Sequence, residues 1–313
     1  MSLVAGVDFG GTKIAIALLD EDYNILDRVR TKTPEEGPEA VVESIVEGIH
    51  KLSDKPDAVG VGAPGLTNDG VVLMAENLLG WGNPVPLADL LGEVLSVPVA
   101  VGNDANVFTV GEFAAGAGRG AKNLLGVSFG TGIGGGLVLD GHPYSGTYGG
   151  AGEFGHMCVR ANGALCGCGR RGCVEAYAGR ASMELVVEVA VAGGRQTALE
   201  TIRREQGKRR LTSGVWAEAL KQGDRLAAEV LDEAISAVGA AVGAVINMLD
   251  LDRVVVGGGL AEKLGQDLPD RIGDAARPYL LDHHAERKIL LAELGDDSGA
   301  VGAAALAREV MAS

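Results

Sequence analysis

No basic stripe interrupts this sequence. Its 27 Lys and Arg stand against 42 Asp and Glu, for a formal net charge of −15, a balance that argues against nucleic acid as a partner. A long unbroken apolar run is also missing. The most apolar stretch, around 234–249, is broken by Ser236 and by Gly239 and Gly243. It reads as a buried helix, and no membrane partner is expected. Residues 1–5 lead straight into a first strand, with no charged n-region and apolar h-region ahead of it, so no secretory leader and a cytoplasmic location are expected. Low-complexity tracts are absent too, so the 49 glycines read as many separate tight turns of an α/β protein. Cysteine is scarce. The four are Cys158, Cys166, Cys168 and Cys173, all within sixteen positions, and in a reducing compartment such clustering favours a metal over disulfides.

What is present is a short text written twice. Residues 6–20 read GVDFGGTKIAIALLD and residues 126–140 read GVSFGTGIGGGLVLD. Without a gap they agree at Gly6/Gly126, Val7/Val127, Phe9/Phe129, Gly10/Gly130, Leu19/Leu139 and Asp20/Asp140. Each copy is an apolar strand, a glycine turn holding a threonine (Thr12, Thr131) and a second apolar strand. An internal repeat is weighed before other readings. Here it predicts two similar lobes, each bringing a turn whose backbone N–H groups can approach a phosphate with no Cβ in the way.

The chain, 313 residues and 47% hydrophobic, is long enough for two domains or one large one. The pattern predicts strands at 3–8 and 13–19, a helix over 37–52 with Val41, Ile45 and Ile49 on one face, and strands at Val59–Ala63 and Val97–Val101. A helix over Ala105–Ala115 follows. The second lobe opens at 124–139, continues through a Gly-rich loop at 141–173 and charged helical segments at 175–233, then a small-residue helix at 227–248 and a buried strand at Leu251–Val256. The expected division is a smaller lobe of 1–105, completed by a C-terminal helix at 299–313, and a larger lobe of 106–298.

Three glycine turns carry candidate chemistry. Asp8-Phe9-Gly10-Gly11-Thr12-Lys13 fits an ordinary hairpin turn. It also fits a Mg2+-phosphate site, since an aspartate at a strand end offers the hard oxygen that Mg2+ takes. Gly130-Thr131-Gly132-Ile133-Gly134-Gly135 matches G-x-G-x-x-G, but a dinucleotide fingerprint needs a helix next, and Leu137-Val138-Leu139 continues as a strand. Gly257-Gly258-Gly259 ends a buried strand and fits either close backbone packing or a platform for a flat nucleoside. Asp104 lies at a strand end before a helix, where an N-cap is the plain reading. His156, Cys166, Cys168 and Cys173 form H-x9-C-x-C-x4-C. Three thiolates and an imidazole suit tetrahedral Zn2+, with Cys158 an alternative ligand. The acids and arginines of 203–210, and His283-His284, read as solvated surface.

Taken in order, DFGGTK (8–13), GNDANV (102–107), FGTGIGGG (129–136), ExGH (153–156) and CxCGxxGCxE (166–175) resemble the ROK (repressor, open reading frame, kinase) family of sugar kinases, and its glucokinase branch most. The resemblance spans essentially the whole chain. It implies an α/β, two-lobed actin-like, ribonuclease-H-like fold that closes on ATP and a sugar. It implies transfer from ATP to the 6-hydroxyl of glucose with Asp104 as general base. Gly65, Asn77, Asn103, Asp104, Glu153, His156 and Glu175 would hold the sugar. Asp8 would help position Mg2+. Gly10, Gly11, Thr12, Lys13, Gly130, Thr131 and Gly132 would hold phosphates, and Gly257–Gly259 would face adenosine. Zn2+ would be structural, folding loop 156–175 and aiming His156 and Glu175 at the sugar, with the ATP turns elsewhere in the sequence and suffering less from its loss. A homo-oligomer, dimer or tetramer, is expected.

Leu79 and Gly102 depart from the family pattern beside the implied sugar pocket. The rival acceptors are mannose, fructose, N-acetylglucosamine and N-acetylmannosamine, and polyphosphate is a rival donor. A sugar-sensing regulator without catalysis is a different class. Asp8 lies too near the N-terminus for a preceding helix-turn-helix, which weighs against that reading.

Overall fold

The computed structural model describes residues 2–53, 55–75, 78–281 and 287–312. Two compact units arise, Met1–Gly126 with Gly136–Gly152 and Asp296–Ser313, and Val127–Gly135 with Glu153–Gly295. The first unit thus extends past residue 105 and includes the C-terminal helix.

Its strands are β1 (Val4–Phe9), β2 (Lys13–Leu19) and β3 (Ile25–Lys32), then helix α1 (Pro38–Leu52), strands β4 (Ala58–Ala63), β5 (Leu66–Asn68) and β6 (Val71–Met74), helix α2 (Leu87–Leu95), strand β7 (Val99–Asn103) and helix α3 (Asp104–Ala115). Strands β8 (Leu124–Phe129), β9 (Ile133–Leu139) and β10 (His142–Pro143) follow. The second unit continues with α4 (Glu175–Ala178), α5 (Arg180–Ala192), α6 (Ala198–Glu205), α7 (Ser213–Lys221), α8 (Arg225–Leu249), β11 (Arg253–Gly257), α9 (Gly259–Leu264), α10 (Asp267–Ala276) and β12 (Lys288–Leu291). Helix α11 (Ser298–Ala312) returns to the first unit.

The repeat has a topological counterpart. One sheet runs β3-β2-β1-β4-β7 and the other β10-β9-β8-β11-β12. In each, the first three strands in chain order lie side by side and the next two extend the sheet past the first. Strands β1 to β3 are antiparallel, whereas β4 and β7 run parallel to β1. Strand β3 escapes the hydrophobic pattern because it is an edge with mostly solvated side chains.

Both faces of the first sheet are covered. On one, Val41, Ile45 and Ile49 of α1 and Leu87 and Leu91 of α2 are buried, and the Phe9 and Trp81 rings lie 5.2 Å apart. Pro38 at the start of α1 has its φ preset for a helix. On the other face α11 rides on bare backbone. Gly6 and Gly60 are partners across β1 and β4. A Cβ would stand 1.9 Å from the Ala300 carbonyl oxygen at Gly6, and 1.7 Å from that of Ala303 at Gly60. Helices α3 and α11 meet as closely: a Cβ on Gly302 would lie 1.8 Å from the Val107 oxygen. At that crossing the buried Glu112 accepts a hydrogen bond from Ser298 Oγ at 2.8 Å and another from the Ala117 N–H at 3.0 Å. Among the described residues no helix is long and apolar enough to cross a membrane.

Candidate active site

In the first unit, the turn after β1 is braced from outside. The Gly10 N–H donates to the Lys13 oxygen at 2.9 Å, and Thr33 Oγ1 donates to the Gly10 oxygen at 2.6 Å. Gly11, Thr12 and Lys13 are exposed. Asp8 lies behind them at the start of α11, so close that a Cβ on Gly299 would stand 2.9 Å from its Cγ. Burial pushes the Asp8 carboxyl above its ordinary range, Lys13 opposes that, Asp296 adds to it and Arg30 opposes.

The strand-to-helix junction at 103–104 corrects the plain reading of Asp104. The cap of α3 is Asn103: its Oδ1 accepts from the Ala105 N–H at 3.0 Å and the Asn106 N–H at 3.2 Å. Its Nδ2 donates to the Gly65 oxygen at 2.9 Å. Gly65 has φ 85°, and a Cβ there would strike the Met74 oxygen at 2.0 Å, so only glycine fits. Asn103 thus ties the β4–β5 turn to α3. Asp104 is the first helical residue and is exposed. Its Oδ1 accepts from the Ala105 N–H at 2.8 Å. Asn77 and His283-His284 lie outside the described residues.

In the second unit, the turn between β8 and β9 is held on three sides. The Gly130 N–H donates to the Gly132 oxygen at 3.0 Å, and the Ala181 N–H at the start of α5 donates to the Thr131 oxygen at 3.0 Å. Glu175 Oε2 accepts from the Ile133 N–H at 2.9 Å. Gly258, with φ 88°, packs on the end of β8, where a Cβ would meet the Phe129 oxygen at 2.5 Å. The triple-glycine turn and the threonine turn are therefore neighbours.

The ligand atoms of His156, Cys166, Cys168 and Cys173 all lie within 4.8 Å of one another. Cys168 and Cys173 sulfurs are 3.8 Å apart, as are Cys166 Sγ and His156 Nδ1. A Zn–S bond near 2.3 Å gives tetrahedral edges of about 3.8 Å, so the donor set fits Zn2+ in type and spacing. Cys158 stands outside the cluster, its thiol donating to the Arg171 oxygen at 3.6 Å. Burial raises the Cys166 thiol to about 12 and also raises Cys173. A hydrogen bond from the Arg170 backbone lowers Cys168 to about 6. His156 turns Nδ1 to the cluster and Nε2 toward Glu153 Oε2, 4.0 Å away.

Loop 156–175, although distant in sequence, adjoins the 130–132 turn. Glu175 follows Cys173 by two residues and bonds Ile133. On the other side, a Cβ on Gly155 would lie 2.0 Å from the Ile133 oxygen. The start of β9 is thus held from both ends of this loop. Two further residues escaped the sequence reading. Arg180 bridges Ser213 Oγ at 3.1 Å and Thr131 Oγ1 at 3.2 Å. Both belong to segments that read as charged helices, with no local signal beyond their charge and polarity.

Two sheets of one strand order, with glycine turns after β1 and β8, define an actin-like, ribonuclease-H-like ATPase fold of two lobes. The chain belongs to the ROK family, whose model matches residues 4–310. It is 34% identical to a glucokinase of Thermotoga maritima over 97% of this chain and 96% of that protein. It is equally close to a glucokinase of Streptomyces coelicolor, at 34% over 99% and 98%. A ROK family glucokinase from Streptomyces griseus, solved in complex with glucose and AMPPNP, superposes with TM-score 0.83 at 34% identity, covering 98% of this chain and all of that one.

Proposed function

We propose that this protein is a sugar kinase that transfers the γ-phosphoryl group of ATP to the 6-hydroxyl of glucose, with Asp104 as general base. The observation that carries the reading is the division of labour at 103–104. Asn103 caps α3 and braces Gly65, and Asp104 follows as the exposed first residue of that helix. A primary alcohol is a poor nucleophile at neutral pH. As its oxygen attacks phosphorus, its proton passes to the Asp104 carboxylate. The bond from phosphorus to the bridging oxygen breaks, and its electron pair leaves on ADP.

Binding falls to the rest. Glu153, His156, Glu175 and the Asn103 side would receive the sugar hydroxyls. The turns Gly10–Lys13 and Gly130–Gly132 would cradle phosphates, and Gly257–Gly259 would carry the adenosine. Asp8 offers the hard oxygen for Mg2+, which neutralises charge on the phosphates when bound. Zn2+ in the Cys3His cluster would have all four positions filled by protein, and so would be structural. We place the protein in the cytoplasm as a homo-oligomer.

A coupled assay over a panel of hexoses and N-acetylhexosamines, with ATP and with polyphosphate, tests the reading. The highest kcat/KM is expected for glucose with ATP. A higher value for fructose or an N-acetylated sugar would remove glucose and leave a hexose kinase. No turnover with any sugar would remove the kinase.

A further inference from the structure

Arg180 opens α5 with its guanidinium spread between two hydroxyls, Ser213 Oγ through Nη1 and Thr131 Oγ1 through Nη2. Both acceptors are neutral. The acid whose field reaches it, Glu184, lies one helical turn on and is already engaged. Glu184 accepts from Arg210 Nε at 2.6 Å and from the Leu211 N–H at 3.0 Å. Burial disfavours the charge on Arg180, with Arg210 adding to this and Glu184 opposing it. A guanidinium nonetheless stays charged at any working pH. A partly desolvated cation is therefore answered here by hydroxyl dipoles, an arrangement that favours an anion between them.

The surrounding backbone is shaped for the same ligand. Thr131 sits between Gly130 and Gly132, and its oxygen is moored by the Ala181 N–H at 3.0 Å. Gly258 touches the end of β8, and a Cβ on Gly259 would stand 3.2 Å from Ser213 Oγ. Two glycine turns converge on the hydroxyl pair that Arg180 spans. Glu184 and Arg180 share a face of α5, so the acid fixes segment 210–211 while the base reaches Ser213 beside it.

We propose that Arg180 binds the diphosphate portion common to ATP and ADP, an assignment that rests on the kinase reading above. On binding, Nη2 leaves Thr131 Oγ1 and donates to phosphate oxygens lying on the 130–132 turn, while Ser213 keeps the fork aimed. The same charge then holds ADP as the bridging oxygen takes up its electron pair.

Titration calorimetry of the whole protein with ADP, adenosine and glucose provides the test. Arg180→Ala is expected to weaken ADP roughly 10- to 100-fold, the range for a hydrogen bond to a charged group, and to leave adenosine and glucose within about twofold. Arg180→Lys restores part of the ADP affinity as a point charge without the fork. Should Arg180→Ala melt early, Arg180→Gln keeps a hydrogen-bonding head without the charge, and the same loss confined to ADP is expected. Wild-type ADP affinity in either variant overturns the assignment. Equal losses for ADP and adenosine also overturn it, because Arg180 would then shape the cradle and not bind phosphate. A wild-type protein that binds neither nucleotide nor nucleoside takes the kinase reading down as well.

Discussion

Glu175 Oε2 accepts the Ile133 N–H at 2.9 Å, across 42 positions of sequence. Its other oxygen stands 3.8 Å from the Cys166 sulfur. One carboxylate thus touches both the His156–Cys173 donor group and the first residue of β9, just after the threonine turn. In this arrangement both Glu175 oxygens face partners inside the protein, so the sugar contact proposed for it requires a shift of the side chain.

Loss of the metal should therefore reach the nucleotide as well as the sugar. Cys166→Ala is expected to lower zinc content by elemental analysis, lower the thermal midpoint and raise KM for both ATP and glucose, because a closed metal site is folding energy for its loop. A zinc-free Cys166→Ala protein with an unchanged KM for ATP would break the proposed link through Glu175.

Asp104→Asn nearly preserves shape and accepts no proton. Turnover should fall roughly 10²–10⁴-fold, with glucose affinity by calorimetry largely kept. A purified variant with near-normal kcat would remove Asp104 as base. Asn103→Ala should act more weakly on chemistry and more on stability, costing about 1 kcal/mol through the lost cap, read as a shift in denaturant midpoint.

The raised pKa of Asp8 has a sign that can be checked. Its ordinary value is 3.8 and the folded value is higher, chiefly through burial. The folded state then holds the proton more tightly than the unfolded chain. Above the folded value the charged carboxylate costs stability. That cost shrinks as pH falls through the folded value and is gone below the ordinary one. Asp8→Asn should therefore melt later than wild type at pH 7, lose that advantage in acid, and lose kinase activity at every pH. An earlier melt at pH 7 would contradict the burial account.

Gly60→Ala tests the seat of α11. The obstructing atom is the Ala303 backbone oxygen, 1.7 Å from the new Cβ, which cannot rotate away as a side chain could. A loss of about 3 kcal/mol or more is expected, measured by urea denaturation. A loss under about 1 kcal/mol would mean that α11 shifts freely on the sheet.

Periodicity and repetition made much of the frame legible. Strands β1, β2, β4 and β11 and helices α1, α3, α8 and α11 fall within a few residues of their expected positions, because each buries an apolar face whose spacing is written locally. The metal cluster was legible as a donor set, although Cys158 could be set aside only once its sulfur was placed. Strand β3 was not legible, since a solvated edge has no apolar face to announce it. The cradle around Thr131 was not legible either. Glu175 and Arg180 meet the turn across 42 and 49 positions, and Arg180 reaches Ser213 across 33. A lone arginine on a helix looks the same whether it faces solvent or a ligand. Asn103 illustrates a subtler limit: adjacent Asn and Asp both favour an N-cap, and only the backbone decides which one takes it.

Helix α11 lies on β1 and β4, with Gly302 pressed to α3. The strands it covers are translated long before the helix. Until residues 298–312 have been made, the nascent first unit lacks the backbone that lies against Gly6 and Gly60. That unit cannot complete its fold before α11 is made, although domains commonly fold in order of synthesis. A ribosome stalled before residue 298 should hold a chain in which β1 remains open to protease, whereas one that has released α11 should not.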